Sequence, residues 1–528
     1  MDNRLSELRS GKDKDLNTSH CLLTVWQSGT QVHRTKSAVS DYPAAVQALA
    51  SKFRNADFIH LEIVSPPPAS SSKSLRQMFE RRSDGLYAVE IATDSATQYI
   101  YASDILTDNI GLRDRVKEFV TNTGCDLSDP QSPLSLDARF SQMKLFIPTS
   151  GRYLDLHRGS AHGIFFSSVE AATKALAELL IQWALNNASP DGSLPYKVYP
   201  SGRRLEPTHD NPIRQWMTTW ALATHAKKVN DEELLRIVTK NIKYNMRKFY
   251  KAVGEIGLME HNSISKLGAS AVAALAIFSH EGNDGLHRAE LKALLAGISC
   301  QWTASGRFKT FFSPSNWSGN QNFYPGETLL LWSTLLDYQS TPELKEKFET
   351  STSYYKEFFR NNPNPAFVPW HTMAQFKAFC RDENSDRADY IFEMNDFLVA
   401  IQQNDISDKS DLTGSFYDPA RPEYGPPHAS STAIYVESLI HALKIARHQN
   451  DKVRETRYLN SILLGFNNLN KLQFKSEAEL FYVADKRRAF GGLRSNPFDN
   501  IIRIDNIQHA LAACNAWELI GSESSSGN

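Results

Sequence analysis

The sequence has no long hydrophobic run and no excess of charge of either sign. Its longest apolar stretches, such as Ala269 to Phe278, fall well short of the roughly 18 residues that a membrane-spanning helix needs. Lysine plus arginine (58) nearly balances aspartate plus glutamate (59), so the basic excess typical of nucleic-acid-binding proteins is missing. The first residues are charged and contain no apolar segment of a secretory signal. We therefore expect a cytoplasmic protein that binds neither membranes nor nucleic acids.

Cysteine is also scarce, and the short motifs of several large enzyme classes are missing. The five cysteines are widely scattered and form no C-x-x-C pair, which gives no support to a disulfide framework or a zinc cluster. The H-E-x-x-H metal motif, both glycine-rich nucleotide-binding loops and the G-x-S-x-G nucleophile turn are absent as well. We expect no metal and no cofactor, and the sequence leaves any protein partner unknown.

The first part of the chain alternates strand-like and helix-like segments. Runs rich in β-branched and aromatic residues predict strands at Cys21–Gln27, Phe58–Val64 and Leu86–Ala92. Apolar residues at steps of three and four predict helices at Ala44–Phe53 and Leu112–Val120. Gly29 suggests a hairpin after the first strand, and the segment SPPPASSSK predicts a loop. These elements predict a small α+β domain over residues 19–150, after a flexible tail over 1–18.

From Ser168 onwards the pattern changes to long helices separated by short connectors that contain Asn or Asp. The connectors are KKVNDEE, HEGNDGLH, DYQSTPEL, CRDENSDR and RHQNDKV. They divide the region into six units of roughly 45 to 65 residues, a period that suits one helical hairpin and its loop.

Within each unit the two helices differ in character. In the first helix of the region, Ala172, Leu176 and Leu180 follow the spacing of a single apolar face. The second helices, such as ETLLLWSTLLDY, are apolar around most of their circumference and must be covered on most sides. We therefore predict a mainly α fold in which six hairpins close into an (α/α)6 toroid over residues 151–522, with the second helices inside and a flexible tail over 523–528.

The loop from each outer helix to its inner helix is long, whereas the connector to the next unit is short. All the long loops must then open on one face of the toroid, at the N-terminal ends of the inner helices. These loops combine aromatic residues with Glu, Asp, His and Arg, the composition of a cleft that stacks rings on sugars and binds hydroxyl groups. We expect the functional site at this face.

Five residues in these loops are candidates for proton transfer. Glu327 and Glu423 lie among aromatic residues, where partial desolvation raises the pKa of a carboxyl and produces a general acid. Their alternative interpretations are a charge in the first turn of a helix for Glu327 and a solvated loop charge for Glu423. Tyr424 follows an arginine and is a candidate for proton abstraction beside a uronate carboxylate. Asp505 and His509 are four residues apart, so a carboxylate can orient the imidazole.

A second set of residues has the chemistry of substrate binding, with rings for stacking and polar or basic groups for hydroxyl or carboxylate groups. Single basic residues in loops are usually just solvated, and a buried histidine is more often structural than functional. The set is Tyr324, Trp370, His371, Asp210, Arg214, Tyr417, His428, Arg494 and Arg503.

With these six units, the segments NFYPGE, PWH, FEMNDF and GGLR…RIDNIQHAL resemble the six-hairpin glycosidase-like superfamily over Ser168 to Leu519. The resemblance implies an (α/α)6 toroid and a carbohydrate-active enzyme, since similar members include inverting glycosidases, unsaturated-uronate hydrolases, lyases and glucuronyl C5-epimerase-like proteins. It does not assign a catalytic motif.

The leading hypothesis is an enzyme that acts on an oligosaccharide or polysaccharide, with uronate-containing chains among the candidates, through paired acid and base residues in the toroid. A non-catalytic toroid that binds a peptide or a partner protein is the main alternative. A toroid that modifies an isoprenoid or a peptide is another.

Overall fold

A computed structural model describes residues 19–66, 80–94, 96–124, 135–161, 165–201, 210–404 and 411–525. The predicted tail over 1–18 and nearly all of the predicted loop SPPPASSSK lie outside these ranges. At the other end, the last helix runs to Ser525, so 523–525 is helical rather than a tail. The division of the chain at residue 150 stays a prediction.

An antiparallel sheet forms the first part of the chain, with the strand order β2-β1-β3-β6-β4-β5 and with β7 and β8 added beyond β6. The predicted strands and the hairpin at Gly29 are confirmed. The strands are β1 His20–Gln27, β2 Thr30–Ala38, β3 Phe58–Ser65, β4 Tyr87–Ala92, β5 Thr97–Ile100, β6 Ser135–Ile147, β7 Arg152–His157 and β8 Ser160–Ala161.

Three helices cover parts of this sheet: α1 Tyr42–Lys52, α2 Ala102–Asp108 and α3 Leu112–Thr123. Successive side chains of a strand point to opposite faces, and this alternation divides the core of the sheet. Ile59 packs with α1, whereas its neighbour Phe58 belongs to the core that the sheet shares with the helical region.

The helical region is a closed ring of six hairpins, as predicted. The outer helices are α4 Val169–Asn187, α6 Glu232–Phe249, α8 Arg288–Cys300, α10 Pro342–Asn361, α12 Ser385–Ala400 and α14 Lys452–Leu472. The inner helices are α5 Pro212–Val229, α7 Leu267–Glu281, α9 Tyr324–Tyr338, α11 Val368–Asp382, α13 Ala429–His448 and α16 Ile504–Ser525. Each inner helix packs against the next, and α16 packs against α5, which closes the ring.

The inner and outer helices differ in how much of their surface is buried, as their sequence patterns predicted. In α7 every residue from Leu267 to Phe278 is buried, whereas α6 buries only one face. Within the described ranges, no helix combines the length and the apolar character that crossing a bilayer requires.

Some of the long loops contain short strands that the sequence patterns did not predict. A four-stranded sheet consists of β10 Tyr250–Val253, β11 Ile256–His261, β12 Ile264–Lys266 and β13 Phe311–Ser313. A three-stranded sheet consists of β9 Lys197–Val198, β14 Arg494–Asn496 and β15 Asp499–Arg503, and a short helix, α15, spans Lys486–Ala489. Through β15, the second of these sheets leads directly into α16.

The large sheet lies on the loop face of the ring. The Phe481 ring stacks on the His60 imidazole with centroids 5.2 Å apart. Asn109, at the end of α2, donates to the Asp499 carboxylate (3.0 Å) and accepts a hydrogen bond from the backbone N–H of Asn500 (3.1 Å). Asn109 therefore holds the start of β15, the strand that leads into α16.

Candidate active site

A cavity of about 400 Å³ opens at the N-terminal ends of the inner helices, where the sequence places the functional cleft. First-turn residues of α5, α9, α11, α13 and α16 line it, together with Lys266 just before α7. Residues far apart in the sequence meet here because all six inner helices start at this end of the ring.

The cavity brings together nine of the residues predicted from sequence. They are Arg214, Tyr324, Glu327, Trp370, Tyr424, His428, Arg503, Asp505 and His509. Their roles stay predictions, but those roles require side chains that share one cavity, and these nine do.

Glu327 is one of two deeply buried acids among the described residues on this cavity. It lies in the first turn of α9, 4% exposed, and its Oε2 has no hydrogen-bond partner among the described residues. Burial raises the pKa of Glu327 to about 8, although Arg214 and Lys266 oppose the shift. A carboxyl in this state is protonated at neutral pH and can donate a proton.

Two glycines give Glu327 its position. A Cβ on Gly268 would overlap Glu327 Oε2 and lie 2.6 Å from the Tyr324 ring. A Cβ on Gly326 would lie 2.9 Å from the His371 imidazole. Both contacts are too close for any side chain, so glycine at these positions lets α9 approach α7 and α11 closely.

Asp505, at the start of α16, is held between two guanidinium groups. Arg214 Nε donates to its Oδ2 at 2.6 Å, and Arg503 Nε donates to its Oδ1 at 2.9 Å. Burial would raise the pKa of Asp505, but Arg214 and Arg503 outweigh that effect and hold it well below its usual range. Asp505 is therefore ionised and fully paired, which suits it to orient the two arginines.

Two imidazoles complete the polar lining. His428 caps α13 and its Nδ1 lies 2.9 Å from Ser430 Oγ, while Arg503 Nη1 approaches Nε2 at 3.4 Å. The His509 ring lies 6.1 Å from that of Trp370, edge to face. Burial lowers the pKa of each histidine to about 4, so both are neutral at pH 7.

The remaining five predicted residues do not line this cavity. Asp210 pairs with Lys248 at 2.6 Å and accepts a hydrogen bond from Gln215 at 2.8 Å, just outside the start of α5. His371 is buried against Phe367, with the ring centroids 3.6 Å apart. Tyr417 is partly buried in the loop after α12, where its backbone N–H donates to Ile401.

Arg494 and Glu423 are also turned away from the cavity. Arg494 is buried where the sheet meets the ring, hydrogen-bonded to Ser160 and placed over the Phe474 ring. Glu423 is exposed in a short turn at Pro422–Tyr424, so it lacks the desolvation that motivated its prediction. The neighbouring Tyr424 faces inwards instead, and its hydroxyl donates to the Pro363 carbonyl at 2.8 Å.

Several lining residues were not singled out from sequence. Tyr435 and Gln508 lie inside inner helices, where Tyr435 is indistinguishable from core and Gln508 from a buried structural amide. The sequence contains one signal for Tyr435. It follows His428 by seven residues, which is two helical turns, so the two residues lie on the same face of α13. In the part of the chain that the structure describes, no group of three His, Cys, Asp or Glu side chains is placed to hold a metal ion.

The cavity is positively charged at neutral pH. Arg214, Arg503 and Lys266 carry positive charges, Asp505 carries one negative charge, and Glu327 is protonated. Neither Nη1 nor Nη2 of Arg214 has a partner among the described residues, and its side chain is 31% exposed. A ligand with a carboxylate or a similar anionic group suits this lining.

The sequence matches no protein-family model and no curated protein. Among solved structures, a D-mannose isomerase aligns with a TM-score of 0.51 and 10% identity, over 68% of this chain and 100% of that one. The cellobiose 2-epimerase of Bacillus thermoamylovorans aligns with a TM-score of 0.50 and 10% identity, over 66% and 98%. An unsaturated glucuronyl hydrolase specific for heparin aligns less closely, with a TM-score of 0.45 and 12% identity, over 67% and 98%.

At such identities the likeness concerns the fold. It agrees with the closed ring of hairpins described above and with the resemblance carried by the sequence segments. The chain thus has an (α/α)6 toroid fold, which it shares with these two structures.

Proposed function

We propose that this chain is a carbohydrate-active enzyme that transfers a proton on an acidic sugar, at the carbon next to the carboxylate. The observation that carries the proposal is the pairing of protonation states on one cavity. Glu327 is in its acid form at neutral pH, and His509 is in its base form. Acid and base catalysis at one carbon requires one group of each kind.

The two groups stand on opposite sides of the ring. In the order of inner helices α5, α7, α9, α11, α13 and α16, the helix of Glu327 (α9) is three places from that of His509 (α16). A sugar ring held between them meets a base on one face and an acid on the other. His509 removes the proton from carbon, Glu327 delivers a proton to the opposite face, and solvent resets both groups.

The remaining lining supports binding of an acidic sugar. The unpartnered end of Arg214 is placed to bind the carboxylate, which also stabilises the negative charge that develops when the proton leaves. Trp370, Tyr324 and Tyr424 offer ring faces to a pyranose.

Hydrolysis by two carboxyls fits this lining less well. That reaction needs a second carboxylate that is free to activate water or to attack the sugar. Of the described residues on the cavity, Glu327 and Asp505 are the two carboxyls, and Asp505 is occupied by two guanidinium groups.

The test is proton exchange in D2O. The protein is incubated with oligosaccharides of glucuronate, galacturonate and mannuronate, and with neutral mannose and glucose oligosaccharides, and the C–H signals are followed by NMR. We expect loss of the C5–H signal and inversion at C5 in a uronate, and we expect Glu327→Gln to abolish the inversion. The matched control is Glu437→Gln, which makes the same substitution at a similarly buried glutamate elsewhere in the ring.

Other outcomes decide between the alternatives. New reducing ends without exchange would indicate a hydrolase, and an unsaturated product would indicate elimination. If no sugar exchanges, is cleaved or raises the melting temperature, the proposal is wrong and a non-catalytic, partner-binding toroid is favoured.

A further inference from the structure

The ring contains a second cavity, of about 330 Å³, on its axis beyond the first. Its lining comes from the middle turns of the inner helices and the turns nearer the short connectors, and all six inner helices contribute. One residue from each helix is Trp220, Leu275, Leu330, Met373, His441 and Ala516. The sheet contacts the ring at the other end, so it does not cover this cavity.

The walls of the second cavity are largely apolar, but two polar groups on α13 face it without partners. Glu437 is 5% exposed and makes no hydrogen bond or ion pair with the described residues. Nδ1 of His441, one turn further along the helix, is buried and also has no partner there. Buried polar groups in native proteins are nearly always hydrogen-bonded. Two unsatisfied groups on one wall therefore point to a ligand that supplies the missing partners.

The outer part of the cavity is cationic. Among the described residues, the titratable groups that line the cavity are Lys377, Lys444, Glu437 and His441. Lys377 is 36% exposed and forms an ion pair with Asp337 at 3.0 Å. Lys444 lies two turns after Glu437 on α13, with its ammonium 5.7 Å from the centre of the Phe376 ring. Burial alone raises the pKa of Glu437 to about 8, so the inner end is neutral at pH 7.

These features suit a ligand with a neutral hydrogen-bonding group at one end, facing Glu437, and an anionic group at the other, facing the two lysines. Seven residues of helix separate Glu437 from Lys444, about 10 Å along the axis. We propose that the second cavity binds a small hydroxyaryl carboxylate, with its hydroxyl hydrogen-bonded to Glu437, its ring against Trp220 and Met373, and its carboxylate near Lys377 and Lys444. Lined by apolar side chains with a few placed polar groups, the cavity has the size and character of a small-molecule site.

Three probes separate the contributions of the two ends. The first is 3-(4-hydroxyphenyl)propionate, the second is 3-phenylpropionate, which lacks the hydroxyl, and the third is tyramine, which replaces the carboxylate by an ammonium. Isothermal titration calorimetry on the full chain should give one site for the first probe. We expect about tenfold weaker binding without the hydroxyl, the worth of one buried hydrogen bond, and weaker binding still for the cation.

Three variants test whether the probes bind in the second cavity. Glu437→Leu should bind both carboxylates equally, and Ala512→Phe, which fills the cavity, should abolish binding. Glu327→Gln, in the first cavity, should leave all three affinities unchanged. The proposal is overturned if the wild-type chain binds none of the probes, if the hydroxyl makes no difference, or if Glu327→Gln removes the binding. Because the wild-type measurements come first, a variant that fails to fold does not affect that decision.

Discussion

The two ends of the ring are built from the same six helices, yet they enclose cavities of opposite character. Each cavity has one buried glutamate whose pKa burial raises to about 8, Glu327 in one and Glu437 in the other. Around Glu327 stand Arg214, Lys266 and two neutral imidazoles, whereas Glu437 is set in a mainly apolar wall. The inner helices alone therefore do not make a reactive site.

The difference follows from the loops. At the first cavity, long loops deliver Lys266, His428 and Arg503 to the helix starts, and at the second, short connectors deliver nothing comparable. The two buried glutamates thus have mainly charged and polar neighbours at one end of the ring and mainly apolar neighbours at the other.

The largest effect is expected from Asp505→Ala. The substitution leaves two guanidinium groups without their shared carboxylate, and breaking such a buried cluster destabilises a protein by about 3 to 5 kcal/mol. By contrast, Glu437→Leu removes an unsatisfied buried carboxyl and should be neutral or stabilising. Urea unfolding of both variants compares the two ends directly, and equal losses would contradict the contrast.

A comparable loss, of activity rather than stability, is expected from Gly268→Ala. Its new methyl group would occupy the space of Glu327 Oε2, so we expect inversion at C5 to be slower by about 100-fold or more. Gly319→Ala is the control, since a Cβ there meets nothing within 4 Å. A fully active Gly268→Ala would show that the position of Glu327 is unimportant.

Stability should fall between pH 7 and pH 8. Burial raises the pKa of each glutamate to about 8 in the folded state, above its ordinary value of 4.5, so in this range the folded state holds protons that the unfolded state has lost. Stability then decreases as the pH rises, by about 1 kcal/mol between pH 7 and pH 8 for each group, because half of its protons are lost by pH 8. Chemical unfolding at several pH values checks this, and either Glu→Gln variant should reduce the slope. An unchanged slope in both variants would refute these assignments.

The smallest effect is expected from Glu423→Gln. Glu423 is exposed and does not line the first cavity, so the exchange rate should stay within about twofold of the wild-type rate. Tyr424→Phe, on the adjacent residue that does line it, is the comparison. A large loss in Glu423→Gln would restore its predicted catalytic role.

The ring itself was predictable from sequence because its signal is repeated. Six apolar inner helices and six amphipathic outer helices leave few alternatives to a closed toroid, and the connectors mark the period. Helical spacing also linked Asp505 with His509, which are four residues apart and line the same cavity.

Where that spacing was absent or ambiguous, sequence reasoning was less successful. Glu423 and Tyr424 are neighbours in a turn, and nothing in their pattern tells which one faces inwards. Trp370 and His371 are neighbours in a helix, so their side chains point about 100° apart, and only Trp370 reaches the cavity. Glu437 and His441 have the same spacing as Asp505 and His509, but their apolar surroundings resemble ordinary core.

The contact between Asn109 and β15 has a consequence for how this protein can be divided. Asn109 forms hydrogen bonds with the first residues of β15. The same strand ends at Arg503, which donates a hydrogen bond to Asp505 at the start of α16. Expressed without the N-terminal strands, the ring would lose the external support of that strand. The N-terminal part of the chain thus supports the first cavity indirectly, through β15, and its removal should loosen the arrangement around Asp505.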